Sequence, residues 1–152
     1  MIGREPKLHN DLFFVCSLIE YIGRVTKNKR ADIVNLIGKD VITHYFELAD
    51  VYHSQPIENT AYHIIEKYGI KEGGFDNISE NLRVPTVFDI AKVYKRLIVN
   101  ITENTSSQFI DVLIEVYNSG ISAKIDDYTC SMYYENPEYI YLSYLDGAPL
   151  KD

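Results

Sequence analysis

Residues 11–23, DLFFVCSLIEYIG, decide the fold class of this chain. Leu12, Phe13, Val15, Cys16, Ile19, Tyr21 and Ile22 recur at helical spacing and form a wide apolar stripe. Asn10 or Asp11 reads as the helix cap, and Gly23 and Asn28 as its end. Working outward, the same period returns in short blocks. Ile33, Val34, Leu36 and Ile37 make a second helix from about Lys29, stopped by Gly38. Asp40 reads as the cap of a third, carrying Val41, Tyr45, Phe46, Leu48, Ala49 and Tyr52. Ser54 and Pro56 open a fourth, with Ile57, Ala61, Ile64, Ile65 and Tyr68, ending at Gly69.

Residues 69–85, GIKEGGFDNISENLRVP, break the pattern with three glycines, two asparagines, an aspartate and a proline. Thr86 and Asp89 then spell a capping box for a fifth helix running to about Ile101. Ser106 or Ser107 starts a sixth, through Tyr117, with Asn118 to Gly120 at its end. Beyond it Ile121, Ala123 and Ile125 alternate with polar residues, so residues 121–135 stay open between helix, strand and loop. Asn136 and Pro137 can start a last helix with Tyr141, Leu142 and Leu145 near one face, stopped by Gly147; the alternative is an extended tail. The expected fold is mainly α, a compact orthogonal bundle of about six or seven helices with at most one short strand or extended tail segment. The divisions are a four-helix module at 1–70, a linker at 71–85 and a smaller helical module at 86–152, sharing one core.

Composition bounds function. The chain has 152 residues, 46% of them apolar, which suffices for a core, and a net charge of −7, which disfavours a broad nucleic-acid surface. Two cysteines in apolar or aromatic stretches read as free thiols of a reducing compartment. No run approaches a membrane span, and the opening MIGREPKLHND shows no secretory signal, so a cytoplasmic protein is expected.

The chemistry-bearing residues are scattered. His44, His53 and His63 lack the spacing that sets two imidazoles on one helical face, so no metal and no cofactor is expected. Gly73 and Gly74 do not make a phosphate loop. Cys16 reads as core, and Cys130 has no assignable base. An enzyme using Asp127, Glu135 or Cys130 stays an alternative without a substrate.

The distinctive stretch is 126–152, with six of the chain's 13 tyrosines and six carboxylates against one lysine. Tyrosine offers rigid apolar area with a polar tip, which suits interfaces. Tyr133, Tyr134, Tyr139, Tyr141 and Tyr144 are the candidate partner contacts, with Asp127, Glu135 and Glu138 steering a basic partner. The partner is another protein or a second copy of the chain. Self-docking of this tail on the zone of Arg83, Lys92, Lys95 and Arg96 is the competing reading. Arg24, Lys27, Lys29 and Arg30 are the alternative, a basic turn for nucleic acid, although the helix that follows offers no side chain suited to a base edge.

Residues 13–70, FFVCSLIEYIGRVTKNKRADIVNLIGKDVITHYFELADVYHSQPIENTAYHIIEKYGI, also resemble a group of small uncharacterised bacterial helical proteins. The likeness lies in the order of an aromatic-aliphatic helix ending in IEY, a polar turn, a tyrosine-bearing helix ending in YH, and a final helix carrying II. Members of that group are encoded beside proteins that look like ADP-ribosyltransferase toxins. The resemblance implies an accessory or antitoxin-like, non-catalytic binding role, and the expected function is a protein–protein interaction module, an antitoxin or other inhibitor of a neighbouring protein. It carries over no functional residues and covers only the first half.

Overall fold

The computed structural model describes residues 7–79 and 81–147. Its elements are α1 (Lys7–Thr26), α2 (Arg30–Glu47), α3 (Ala49–Tyr52), α4 (Ile57–Lys67), α5 (Val87–Glu103), α6 (Phe109–Tyr117), α7 (Gly120–Ile125), a 3-10 turn (Met132–Tyr134) and α8 (Pro137–Asp146). The protein is a mainly α bundle, with no strand among the described residues. None of these helices is long and apolar enough to cross a membrane.

The bundle is organised around α1, which packs against α2, α3, α4 and α5. Its stripe is wide for that reason: Leu12, Phe14, Val15, Cys16, Leu18, Ile19 and Ile22 are all buried. The polar residues on α1 are paired where they are buried. Lys7 reaches Asp11 at 2.6 Å, and Ser17 donates to the Phe13 carbonyl at 2.8 Å. One hydrophobic cluster runs from Leu12 through Ile90, Leu97, Val112 and Leu113 to Ile140, so both halves of the sequence build it.

Several boundaries differ from the sequence expectation, each for a local reason. Gly23 lies inside α1, which continues to Thr26, because the Arg30 side chain crosses α1 there and a β-carbon would overlap it. The α1 end is instead Lys27, left-handed at φ 55, with the Asn28 amide reaching back to the Gly23 carbonyl at 3.1 Å. Gly38 breaks the helical path at φ 82 and ψ 170, as expected, so Arg30–Glu47 is two helical stretches joined at a kink; no side-chain capping bond from Asp40 occurs among the described residues. Pro56, not Ser54, occupies the cap position of α4; the Ser54 hydroxyl turns back to the Val51 carbonyl. Gln108 precedes α6, without a side-chain cap. The alternating segment after Gly120 is helix α7, started by Ser119, and not a strand.

Other expectations hold. Thr86 and Asp89 exchange reciprocal 3.0 Å bonds at the start of α5. Asn136 caps α8 by accepting from the Glu138 amide at 2.8 Å, with Pro137 in the first turn. The inner face of α8 is Ile140 and Ser143; Leu142 and Leu145 share a face, as expected, and that face is the outer one.

Candidate functional site

Glu20 is a carboxylate set in the apolar stripe of α1, and it has no exposed surface. An isolated buried charge is prohibitively costly, so its partners must converge on it. Arg30, equally buried at the start of α2, sends Nε to Oε1 at 3.0 Å and Nη2 to Oε2 at 2.9 Å. Arg24, one turn along α1, adds a 2.6 Å bond to Oε2. Tyr128 donates to the same oxygen at 2.9 Å and accepts from Arg24 at 3.1 Å. Burial pushes the Glu20 carboxyl up, but Arg30 and then Arg24 outweigh it and hold it below its ordinary value.

The network then runs outward. Arg30 donates to Asn77 Oδ1 at 3.2 Å, and Asn77 donates to the Asp126 carbonyl at 2.9 Å. Tyr94 of α5 donates to Asp126 Oδ1 at 2.8 Å, and Ser122 lies 2.7 Å from the same hydroxyl. With the tyrosine hydrogen on the carboxylate, Ser122 is the donor to Tyr94. Asp126 is 5% exposed, and its carboxyl is pushed up to about 7, first by burial and then by Glu20. Burial and the facing Asp126 push the Tyr94 phenol far above its ordinary value.

This network joins α1, α2, the 70–86 connection, α5, α7 and the start of the tail. It acts as a clasp: Asp126 and Tyr128 fix the C-terminal segment to the rest of the chain. Beside the clasp opens a cavity of about 630 Å³. Its walls come from the start of α2, from Phe75, Asp76, Asn77 and Asn81, from the α6–α7 turn and from residues 126–129. Tyr117 is among its lining residues, with its buried ring stacked on Tyr94 at 4.1 Å. Neither the clasp nor the cavity was expected from the sequence. The available signal was Glu20 itself, an acid flanked by Ile19 and Tyr21 within a core-facing helix.

The tail docks on its own chain. The 3-10 turn and α8 pack against α5, and Arg96 shares a small crevice with Tyr133, Tyr134 and Glu135. Tyr133, Tyr141 and Tyr144 pack half-buried against the core; Tyr133 makes edge contacts with Tyr128 at 5.5 Å and Tyr134 at 4.9 Å. Tyr139 is also half-buried. Tyr134, at 69% exposure, is the open member of the five candidate tyrosines. Asp127 and Glu138 are exposed, whereas Glu135 is half-buried and accepts from Ser131 at 2.9 Å.

The outer face of α8 presents Glu138, Leu142, Leu145 and Asp146, at the spacing of one helical stripe. Between Ile125 and Gly147 there is no lysine or arginine.

The basic turn does not form one surface. Arg30 is sealed inside the clasp, and Arg24 is committed to Glu20, Tyr128 and the Pro85 carbonyl. Lys27 lies 3.4 Å from Glu72, and Lys29 is exposed. The basic turn of Arg24, Lys27, Lys29 and Arg30 read as the nucleic-acid alternative is thereby corrected: two of its four charges are structural. Among the described residues no cluster of three or more metal-ligating side chains occurs. Cys16 is buried and its thiol is pushed up to about 12 by burial. Comparison with protein-family models, curated proteins and solved structures finds no match to this chain.

Proposed function

We propose that this chain is a non-catalytic interaction module whose contact face is the outer side of the clasped C-terminal segment. The observation that carries the reading is the exposed stripe of Glu138, Leu142, Leu145 and Asp146 on α8, in a segment that also exposes Tyr134 and Asp127. Tyr134, Leu142 and Leu145 stand out to solvent at 69%, 40% and 59% exposure, and the carboxylates of Asp127, Glu138 and Asp146 lie in a segment free of basic residues. Aromatic and aliphatic anchors with an acidic rim suit a basic protein surface. The clasp supports this role by holding the face rigid, which lowers the ordering cost of association. The mechanism is steric: the face covers a basic site on its partner, in the manner of an antitoxin or another inhibitor of a neighbouring protein, in the cytoplasm.

Affinity capture with wild type and with the variant Tyr134→Ala/Leu142→Ser/Leu145→Ser tests this directly. The expected result is a stoichiometric basic partner held by wild type, weakened by salt, and lost by the folded variant. Retention by the variant removes the reading. A discrete homodimer that the same substitutions dissociate would reassign the face to self-association. Truncation before the tail is a poor test, because it would strip Tyr128 from Glu20 and Asp126 from Tyr94.

A further inference from the structure

The cavity beside the clasp carries features that, Asp127 apart, the interaction reading does not use. At about 630 Å³ it falls in the size range of small-molecule sites. It is partly apolar, with Phe75, Ala31 and Ala123 among its lining residues. Asp126, nine-tenths buried, lines it as well. Tyr94 occupies Oδ1 of Asp126, while Oδ2 has no hydrogen-bond partner among the described residues. Asp76 and Asp127 add two more carboxylates to the rim. Asp76 is held down at about 2 by bonds from Ser79 and Ile78, so it is ionised at neutral pH.

Positive charge in the wall is mostly spent. The Arg30 guanidinium bonds Glu20 twice, the Asn28 carbonyl and Asn77, and it lies over the Phe75 ring at 5.7 Å. Lys29 is the remaining cation of the lining. An open carboxylate oxygen at an aromatic wall, under a rim of two further acids, is complementary to a positively charged donor attached to an apolar body. An anion would meet three carboxylates. A neutral ligand would add no charge at Asp126 beyond that of Arg30 and Arg24, whose hydrogen bonds go to Glu20.

We propose that this cavity binds a small organic cation, a primary amine or amidine on a compact apolar or aromatic body, with its charged nitrogen on Asp126. The groups acting on Asp126 are Glu20 and Arg24 from α1, Arg30 from α2, Tyr94 from α5 and Tyr128 from the tail. A bound cation favours the ionised acid, so it displaces the proton that burial and Glu20 hold there. Binding therefore tightens as pH rises through about 7.

The test uses the full chain and three matched probes: phenethylamine, neutral 2-phenylethanol and anionic 3-phenylpropionate. Amide chemical shifts and calorimetry are followed at about pH 8 and about pH 5.5, on either side of the Asp126 titration. The expected result is selective perturbation of residues 117–129 by the amine. Its affinity should exceed that of the alcohol about tenfold or more and weaken at the lower pH. Asp126→Asn should abolish the preference for the amine. Ala123→Tyr, an exposed wall position outside the clasp, should block binding without disturbing the network. Equal binding of the three probes, no localised shifts, or binding unchanged in the folded Ala123→Tyr protein overturns the proposal. If Asp126→Asn does not fold, the Ala123 variant and the probe series decide. Neither substitution touches the outer face of α8, so failure here is distinguishable from failure of the interaction reading.

Discussion

Glu20 and Arg30 meet across the α1–α2 turn through two hydrogen bonds of 3.0 and 2.9 Å, and neither side chain has any exposed surface. The pair sets the angle between the first two helices, and the side chain of Arg30 reaches it only because Gly23 leaves room on α1. It also supplies the anchor to which Tyr128 attaches the tail.

Breaking this pair from one side should be far more damaging than removing it whole. Arg30→Met leaves Glu20 buried with Arg24 and Tyr128 alone, and should cost about 3–5 kcal/mol. Adding Glu20→Leu to it should recover part of that loss, because no uncompensated charge remains. Urea denaturation of the two variants checks both statements. A single variant within about 1 kcal/mol of wild type would mean the pair is worth no more than a surface bridge.

The stability of the fold should fall as pH rises from about 4 to about 7, with Asp126 as the cause. Its folded value near 7 stands above the ordinary 3.8, so the folded chain holds a proton that the unfolded chain has released. That contribution is complete below the unfolded value and is lost as pH approaches 7. Asp126→Asn keeps an acceptor for Tyr94 and removes the ionisation. Its stability relative to wild type should rise across this window, by up to about 4 kcal/mol. Glu20 acts in the opposite sense and lower down: its depressed value costs stability as pH falls below 4.5. Thermal melts of both proteins across pH provide the measurement, and parallel curves would assign Asp126 an ordinary titration.

Thr86→Ala should lower stability by about 1 kcal/mol. The hydroxyl satisfies the Asp89 amide, and its loss leaves the reciprocal Asp89 bond alone at the start of the helix that carries Tyr94. Replacement by serine should restore most of the difference. A melting temperature unchanged by alanine would show that water replaces the cap without loss.

The two thiols should separate cleanly by reactivity. Cys16 is buried, and its thiol is pushed up to about 12. Cys130 is half-exposed, with its sulfur 3.1 Å from the Lys124 carbonyl. A chromogenic disulfide reagent should therefore titrate one thiol in the native protein and two in denaturant. Cys130→Ser should abolish the native reaction, and Cys16→Ser should not.

Local patterns were readable where a single element decides the outcome. The α1 stripe, the Thr86–Asp89 box and the Asn136–Pro137 start each depend on residues within one or two turns of one another. The short alternating segment Ile121–Ala123–Ile125 was not readable, because so few residues satisfy both a helical and a strand period. The shared face of Leu142 and Leu145 was readable, but not that it points outward: which face of α8 is covered depends on α5 and α7, which pack against it.

Charge was the least legible property. Arg24 and Arg30 belong by sequence to a basic run, yet in space they belong to Glu20. Their partner lies ten residues or fewer away, but Tyr128 and Asn77, which complete the arrangement, lie 108 and 47 residues from the groups they contact. The tyrosine-rich tail shows the same division. Its composition announced an interface, whereas burial of Tyr128 and partial burial of Tyr133, Tyr141 and Tyr144 made much of that interface internal.

By itself, then, the sequence determined a mainly helical chain and some of its starts, those at Thr86–Asp89 and Asn136–Pro137 among them, because periodicity and caps act through neighbouring backbone. Tertiary structure decided which charges are sealed, which tyrosines remain open and where a cavity forms. Those outcomes depend on desolvation, and a side chain is desolvated only by what distant segments bring against it.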